Sequence, residues 1–92
     1  MKTTTPDKVA SSNSRRPPKL KVAAFSSDEE LYVLLEGSRK ALRMLGEMLI
    51  ATADQKAGFD FAIHPRGSGT IFFNKASTHG IYLNLVKSPK AR

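Results

Sequence analysis

Hydrophobic positions along the chain fall into short alternating runs interrupted by one longer run with helical spacing. Residues 19–25 alternate Leu20, Val22 and Ala24 with Lys19, Lys21 and Ala23, and residues 30–36 contain Leu31, Tyr32, Val33, Leu34 and Leu35. Both runs predict strands. The intervening Ser26-Ser27-Asp28-Glu29 predicts the turn of a β-hairpin, because such side chains bond to their own backbone and favour reversals. The second strand is apolar on both faces, with Leu31, Val33 and Leu35 pointing one way and Tyr32 and Leu34 the other, which predicts a central strand or one covered on both sides.

Gly37 and Ser38 then punctuate the pattern. Ser38 is a good N-cap, its hydroxyl able to accept from a first-turn amide, and a helix is predicted to follow. Leu42, Leu45, Met48, Leu49 and Thr52 or Ala53 recur at three-and-four spacing, the signature of an amphipathic face, while Arg39, Lys40, Arg43, Glu47 and Asp54 take the other side. Gly46 within that helix costs about 1 kcal/mol relative to Ala, so it either admits a close neighbour or tolerates the loss.

Three further strands are predicted at residues 59–64, 70–74 and 80–86, separated by Pro65-Arg66-Gly67-Ser68-Gly69 and Lys75-Ala76-Ser77-Thr78-His79. Such short connections favour antiparallel neighbours. The expected architecture is therefore α+β, in the order β-β-α-β-β-β, a mainly antiparallel sheet with one amphipathic helix packed on one face. One helix covers only one face, which leaves Tyr32, Leu34, Phe73 and Tyr82 as an expected apolar patch. Patches of this kind mark subunit or partner interfaces, and homodimerisation is the structural expectation.

Residues 1–18 change the picture at the N-terminal side: Met1, Val9 and Ala10 are their only apolar residues apart from proline. This composition predicts a disordered basic arm, followed by a single domain at residues 19–87 and a basic tail at residues 88–92. A domain of that length gains only about 3–5 kcal/mol from a lone core, so a second copy or a partner would help it. Most of the formal charge of +7 lies in the two tails, since the domain carries nine basic against seven acidic residues. Nucleic-acid-binding folds carry basic residues on the face that meets phosphate, and here the arm is the more basic part.

The chain has no cysteine, which excludes a disulfide framework and a thiolate zinc site and fits a reducing compartment. No apolar run approaches the roughly 20 residues of a membrane span or the length of a signal-peptide core, so a soluble, cytoplasmic protein without membrane association is expected. His64 and His79 are the only histidines, and the predicted meander places them at opposite ends of the sheet, so neither metal nor other cofactor is expected. Ser77, His79 and Asp60 fall near one end of that meander, but Ser77 occupies a turn without a strand-to-helix elbow, and no catalytic residue is assigned. Gly67-Ser68-Gly69 precedes a predicted strand and not a helix, so hairpin geometry explains it better than phosphate binding.

Two sets of residues remain as candidate contacts. Arg39, Lys40 and Arg43 on the helix, with Arg15 and Arg16 in the arm, could meet nucleic acid, weakly and without sequence preference because the arm has no interleaved aromatics for base stacking. Asp28, Glu29, Glu30, Tyr32 and Tyr82 are the candidate contacts for a protein partner.

The strand beginning Lys19-Leu20-Lys21-Val22, the turn Leu35-Glu36-Gly37-Ser38 and the helix Ala41-Leu42-Arg43-Met44-Leu45-Gly46-Glu47-Met48-Leu49 carry a further signal. This half of the domain resembles the small α+β immunity proteins of bacterial polymorphic toxin systems, in particular the immunity protein 32 family. The resemblance implies a cytoplasmic binder, without catalysis of its own, that neutralises a cognate toxin by covering its working surface. Toxins that attack nucleic acid tend to have basic clefts, and an inhibitor of one is expected to offer an acidic patch; the acidic residues of this domain are instead scattered, with Asp28-Glu29-Glu30 in the first hairpin turn their only cluster.

Overall fold

The computed structural model describes residues 4–87. It is an α+β fold with the elements α1 (Pro6–Ser12), β1 (Leu20–Ser27), β2 (Glu30–Gly37), α2 (Arg39–Ala53), a 3₁₀ turn (Thr70–Phe72) lying between β3 (Asp60–Ile63) and β4 (Ile81–Asn84). The strands form two separate antiparallel ribbons, β1 with β2 and β3 with β4. The ends of the chain beyond residues 4–87, including the basic tail, lie outside the described residues.

The predicted hairpin forms with Ser27 directly paired to Glu30, so the reversal takes only Asp28 and Glu29. Both have positive φ, 52° and 67°, the geometry that matches the right-handed twist of flanking strands. Carrying it on two residues with side chains, where Asn-Gly is preferred, stores backbone strain at the tip.

Ser38 caps α2 as its sequence position predicts, its Oγ accepting from the Ala41 amide at 3.1 Å. The buried face consists of Ala41, Met44, Leu45, Met48, Ala51 and Thr52, so the helix is rolled from the expected face and leaves Leu42 and Leu49 about half exposed. The small residue Ala41 explains the roll, because a Cβ on Gly37 would lie 2.9 Å from the Ala41 Cβ and 3.0 Å from the Lys19 carbonyl oxygen. The start of the helix therefore lies tight against the base of the hairpin. At Gly46, by contrast, an added Cβ meets nothing within 4 Å. The glycine serves no close approach, and Gly46→Ala is expected to raise stability by about 1 kcal/mol, read as an increased urea midpoint with an unchanged slope.

Residues 6–12, expected within a disordered arm, are instead helical. Thr5 caps α1 through a 3.2 Å bond from the Lys8 amide, Pro6 sits in the first turn where its missing N–H costs nothing, and both Pro6 and Val9 are buried. Val9 belongs to the hydrophobic core, and Gln55 ties the other helix to this segment by donating to the Thr4 carbonyl at 3.2 Å. One valine and one proline on a capped turn suffice once α2 offers a surface to bury them against, a long-range contribution that composition does not show.

Residues 70–74 also depart from expectation. Gly69 adopts φ of 82°, and the Phe72 amide donates to its carbonyl at 2.9 Å, winding Thr70–Phe72 into a 3₁₀ turn. The Thr70 hydroxyl bonds the Pro65 carbonyl, tightening the same loop. Phe72 and Phe73 are then buried in succession, not in alternation. Phe73 forms a parallel bridge with Leu20, so the segment docks onto β1 and not beside β3. With no middle strand, β3 pairs directly with β4 in the register Asp60 to Asn84 and Ile63 to Ile81.

The core gathers Val9 from α1, Leu20 and Val22 from the base of the hairpin, the inner face of α2, Phe61 and Ile63 from β3, and Phe72 and Phe73. The distal half of the hairpin contributes nothing to it.

Candidate protein-binding hairpin

The β1–β2 hairpin is buried at its base and bare toward its tip. Leu20 and Val22 are fully buried, whereas Leu31 is 86% and Val33 73% exposed, and Phe25, Tyr32 and Leu35 are about half exposed. β2 is thus the reverse of the covered strand its composition predicts. Its interior-like sequence lies on a projecting two-stranded ribbon. Tyr32 pairs directly with Phe25, and their rings stack with centroids 5.0 Å apart and planes 19° off parallel. On the opposite face Leu31, Val33 and Leu35 line up with Ser26, Ala24 and Val22, so both faces of the ribbon are apolar.

The edges of the ribbon differ. Beside the base of β1, Asn74 donates to the Leu20 carbonyl at 2.8 Å and Thr78 to the Val22 carbonyl at 2.9 Å. Ser77 completes this cover: its Oγ accepts from the Val22 amide at 3.1 Å and donates to the Leu20 carbonyl at 2.9 Å. Among the described residues no backbone bond reaches the outer edge of β2. In a two-residue hairpin the pair flanking the turn exchanges hydrogen bonds and the next does not, in alternation. Starting from Ser27 and Glu30, the backbone groups of Leu31, Val33, Leu35 and Gly37 therefore point outward, away from β1.

The charged residues sort along the same ribbon. Residues 22–38 hold Asp28, Glu29, Glu30 and Glu36 and no Lys or Arg, in a chain whose formal charge is +7. At the base stand Lys21, paired with Glu36, and Arg39 and Lys40 at the start of α2. Arg39, Lys40 and Arg43 are exposed, as are Arg15 and Arg16 just beyond α1.

Tyr82, grouped with Tyr32 by the expected single sheet, lies on β4 in the other ribbon, and Phe73 is buried against β1, so the four-residue patch does not form. The Tyr82 hydroxyl donates to Asp60 at 3.0 Å, and that carboxylate holds the phenol above its ordinary pKa by favouring the bonded, neutral form and repelling the phenolate.

The chemical trio separates as well. Asp60 stands at the Asn84 end of the β3–β4 ribbon and is engaged by Tyr82, His79 precedes the opposite end with its Nδ1 2.7 Å from the Thr78 hydroxyl, and Ser77 is clamped on β1. The expected separation of the histidines does not hold. Direct β3–β4 pairing brings His64 beside Gly80, where an added Cβ would lie 2.6 Å from the imidazole. His64 Nδ1 accepts from the Arg66 amide at 3.0 Å, and among the described residues no group of three His, Asp or Glu side chains could hold a metal. Among the same residues no helix is long and apolar enough to cross a membrane.

No family model, curated protein or solved structure matches this chain.

Proposed function

We propose that this protein is a non-enzymatic binding module whose working surface is the β1–β2 hairpin and whose partner is a protein. The observation that carries the reading is the exposure of Phe25, Leu31, Tyr32, Val33 and Leu35 on one projecting ribbon with an open edge. Contiguous apolar surface of this kind, with aromatic anchors and a polar rim, is what protein interfaces present. A nucleic-acid partner fits it less well. The exposed aromatic pair, which could stack on bases, lies in the acidic stretch between residues 22 and 38, where phosphate is repelled.

The resemblance to immunity proteins gives the reading its most specific form: a cytoplasmic inhibitor that lays this hairpin over the working surface of a toxin. Asp28, Glu29 and Glu30 at the tip supply the charge to meet a basic cleft, and the stacked rings supply the apolar anchor. The test is capture of partners from the source cell on the wild-type protein, followed by titration of the captured protein with the wild type and with Asp28, Glu29 and Glu30 all changed to alanine. The triple variant is expected to bind at least about tenfold more weakly, mainly through slower association at low salt. Equal affinity of the two proteins would rule out the acidic tip as the contact.

A further inference from the structure

We propose that the outer edge of β2 pairs antiparallel with β2 of a second copy, about a two-fold axis at Leu34, to make one four-stranded sheet. The inference rests on the reading of the hairpin as a binding surface and names an occupant for its open edge. Residues 31–35 form an uninterrupted apolar run with neither proline nor lysine, and the hairpin pairs without a bulge, so the usual devices that block edge pairing are missing from its centre.

Charge favours a second copy as the occupant. Antiparallel pairing about a two-fold axis lays the tip of each hairpin beside the base of the other. The tip carries Asp28, Glu29 and Glu30, and the base carries Arg39 and Lys40, so each copy presents both halves of a complementary pair. The same charges choose the register. An axis at Val33 would set Glu30 across from Glu36 on both sides of the dimer, and like charges directly opposed are unfavourable. An axis at Tyr32 would set Asp28 across from Glu36. With the axis at Leu34, Val33 faces Leu35, Leu31 faces Gly37 and Tyr32 faces Glu36, while Asp28 and Glu29 approach Lys40 and Arg39. Leu31, Val33, Leu35 and Gly37 are the residues whose backbone groups point outward, so this register also completes the ladder.

Sedimentation of the full chain at low salt is expected to show a dimer at micromolar concentration, weakened about tenfold at high salt by screening of its four tip-to-base ion pairs. Val33→Lys, at a position 73% exposed within one copy, should keep the circular dichroism of the wild type and sediment as a monomer. Leu34→Cys gives an independent reading because the protein has no cysteine of its own. At the axis the two residues form a non-hydrogen-bonded pair with Cα atoms about 4.5 Å apart, within disulfide reach, so mild oxidation should link the copies. A monomeric wild type, a Val33→Lys protein that remains dimeric, or a dimeric Leu34→Cys protein that does not cross-link would each overturn the pairing. A monomer that still binds a toxin through its acidic tip would sink this inference alone and leave the function proposed above standing.

Discussion

Leu20→Ala is expected to leave the chain largely unfolded at room temperature, whereas Leu31→Ala on the other strand of the same hairpin should shift stability by no more than about 0.5 kcal/mol. Leu20 is 0% exposed and lies where β1, the start of α2 and Phe73 meet. Truncating a leucine in such a place removes its transfer energy and leaves a cavity, together costing about 3–5 kcal/mol. That equals the whole contribution of a lone core in a domain of this size. Leu31 has almost nothing to lose in a single copy. Urea unfolding followed by circular dichroism distinguishes the two, and a cooperative Leu20→Ala transition near the wild-type midpoint would mean that the hairpin base is not the keystone of the core. If Leu31→Ala were the more damaging change in dilute protein, the distal ribbon would have to be packed and not bare.

That contrast also shows what was legible in the sequence. The hairpin and the N-cap at Ser38 are legible because their signals are local, namely alternation, turn-forming residues and a hydroxyl ahead of helical spacing, although the reversal takes only Asp28 and Glu29 of the four residues expected in it, Ser26 and Ser27 pairing within β1. The exposure of β2 was not legible, because an apolar run has the same composition whether the protein covers it or leaves it for a partner. Its interior-like sequence on an edge is informative only once the structure shows where the edge is. Two other misreadings have the same origin in tertiary contacts. Val9 was too sparse a signal for a helix until α2 supplied a surface for it, and the strand-like Ile71-Phe72-Phe73 was overridden by the left-handed turn at Gly69 and by docking against Leu20. The loss of that strand then moved the candidate site residues, parting Tyr32 from Tyr82 and Asp60 from His79, and bringing His64 beside Gly80. The acidic tip and the basic start of α2 were each visible as charges along the chain. That they mark opposite ends of one ribbon came from the register.

Ser77→Ala is expected to destabilise the fold by about 1–3 kcal/mol, although the one side chain its hydroxyl bonds among the described residues is the exposed Asn74. The reason lies in β1. Ser77 is buried, and its hydroxyl both accepts the Val22 amide and donates to the Leu20 carbonyl, taking the place of a strand at that edge. Alanine fills nearly the same space but strands the Val22 N–H inside the protein, and an unpaired buried donor forfeits its full solvation. The variant should therefore show a lower urea midpoint together with faster hydrogen exchange at the Val22 amide. The Phe25 amide, which bonds across to Tyr32 within the hairpin ladder, should change less. Unchanged protection at Val22 would mean that the hydroxyl is replaceable by water and that the clamp contributes little. The same geometry governs how any loss of activity in this variant is to be read: a serine that holds the backbone of β1 from both sides changes the binding hairpin through its base. A Ser77→Ala protein with weaker partner binding and a matching loss of stability therefore reports on the scaffold and not on a nucleophile.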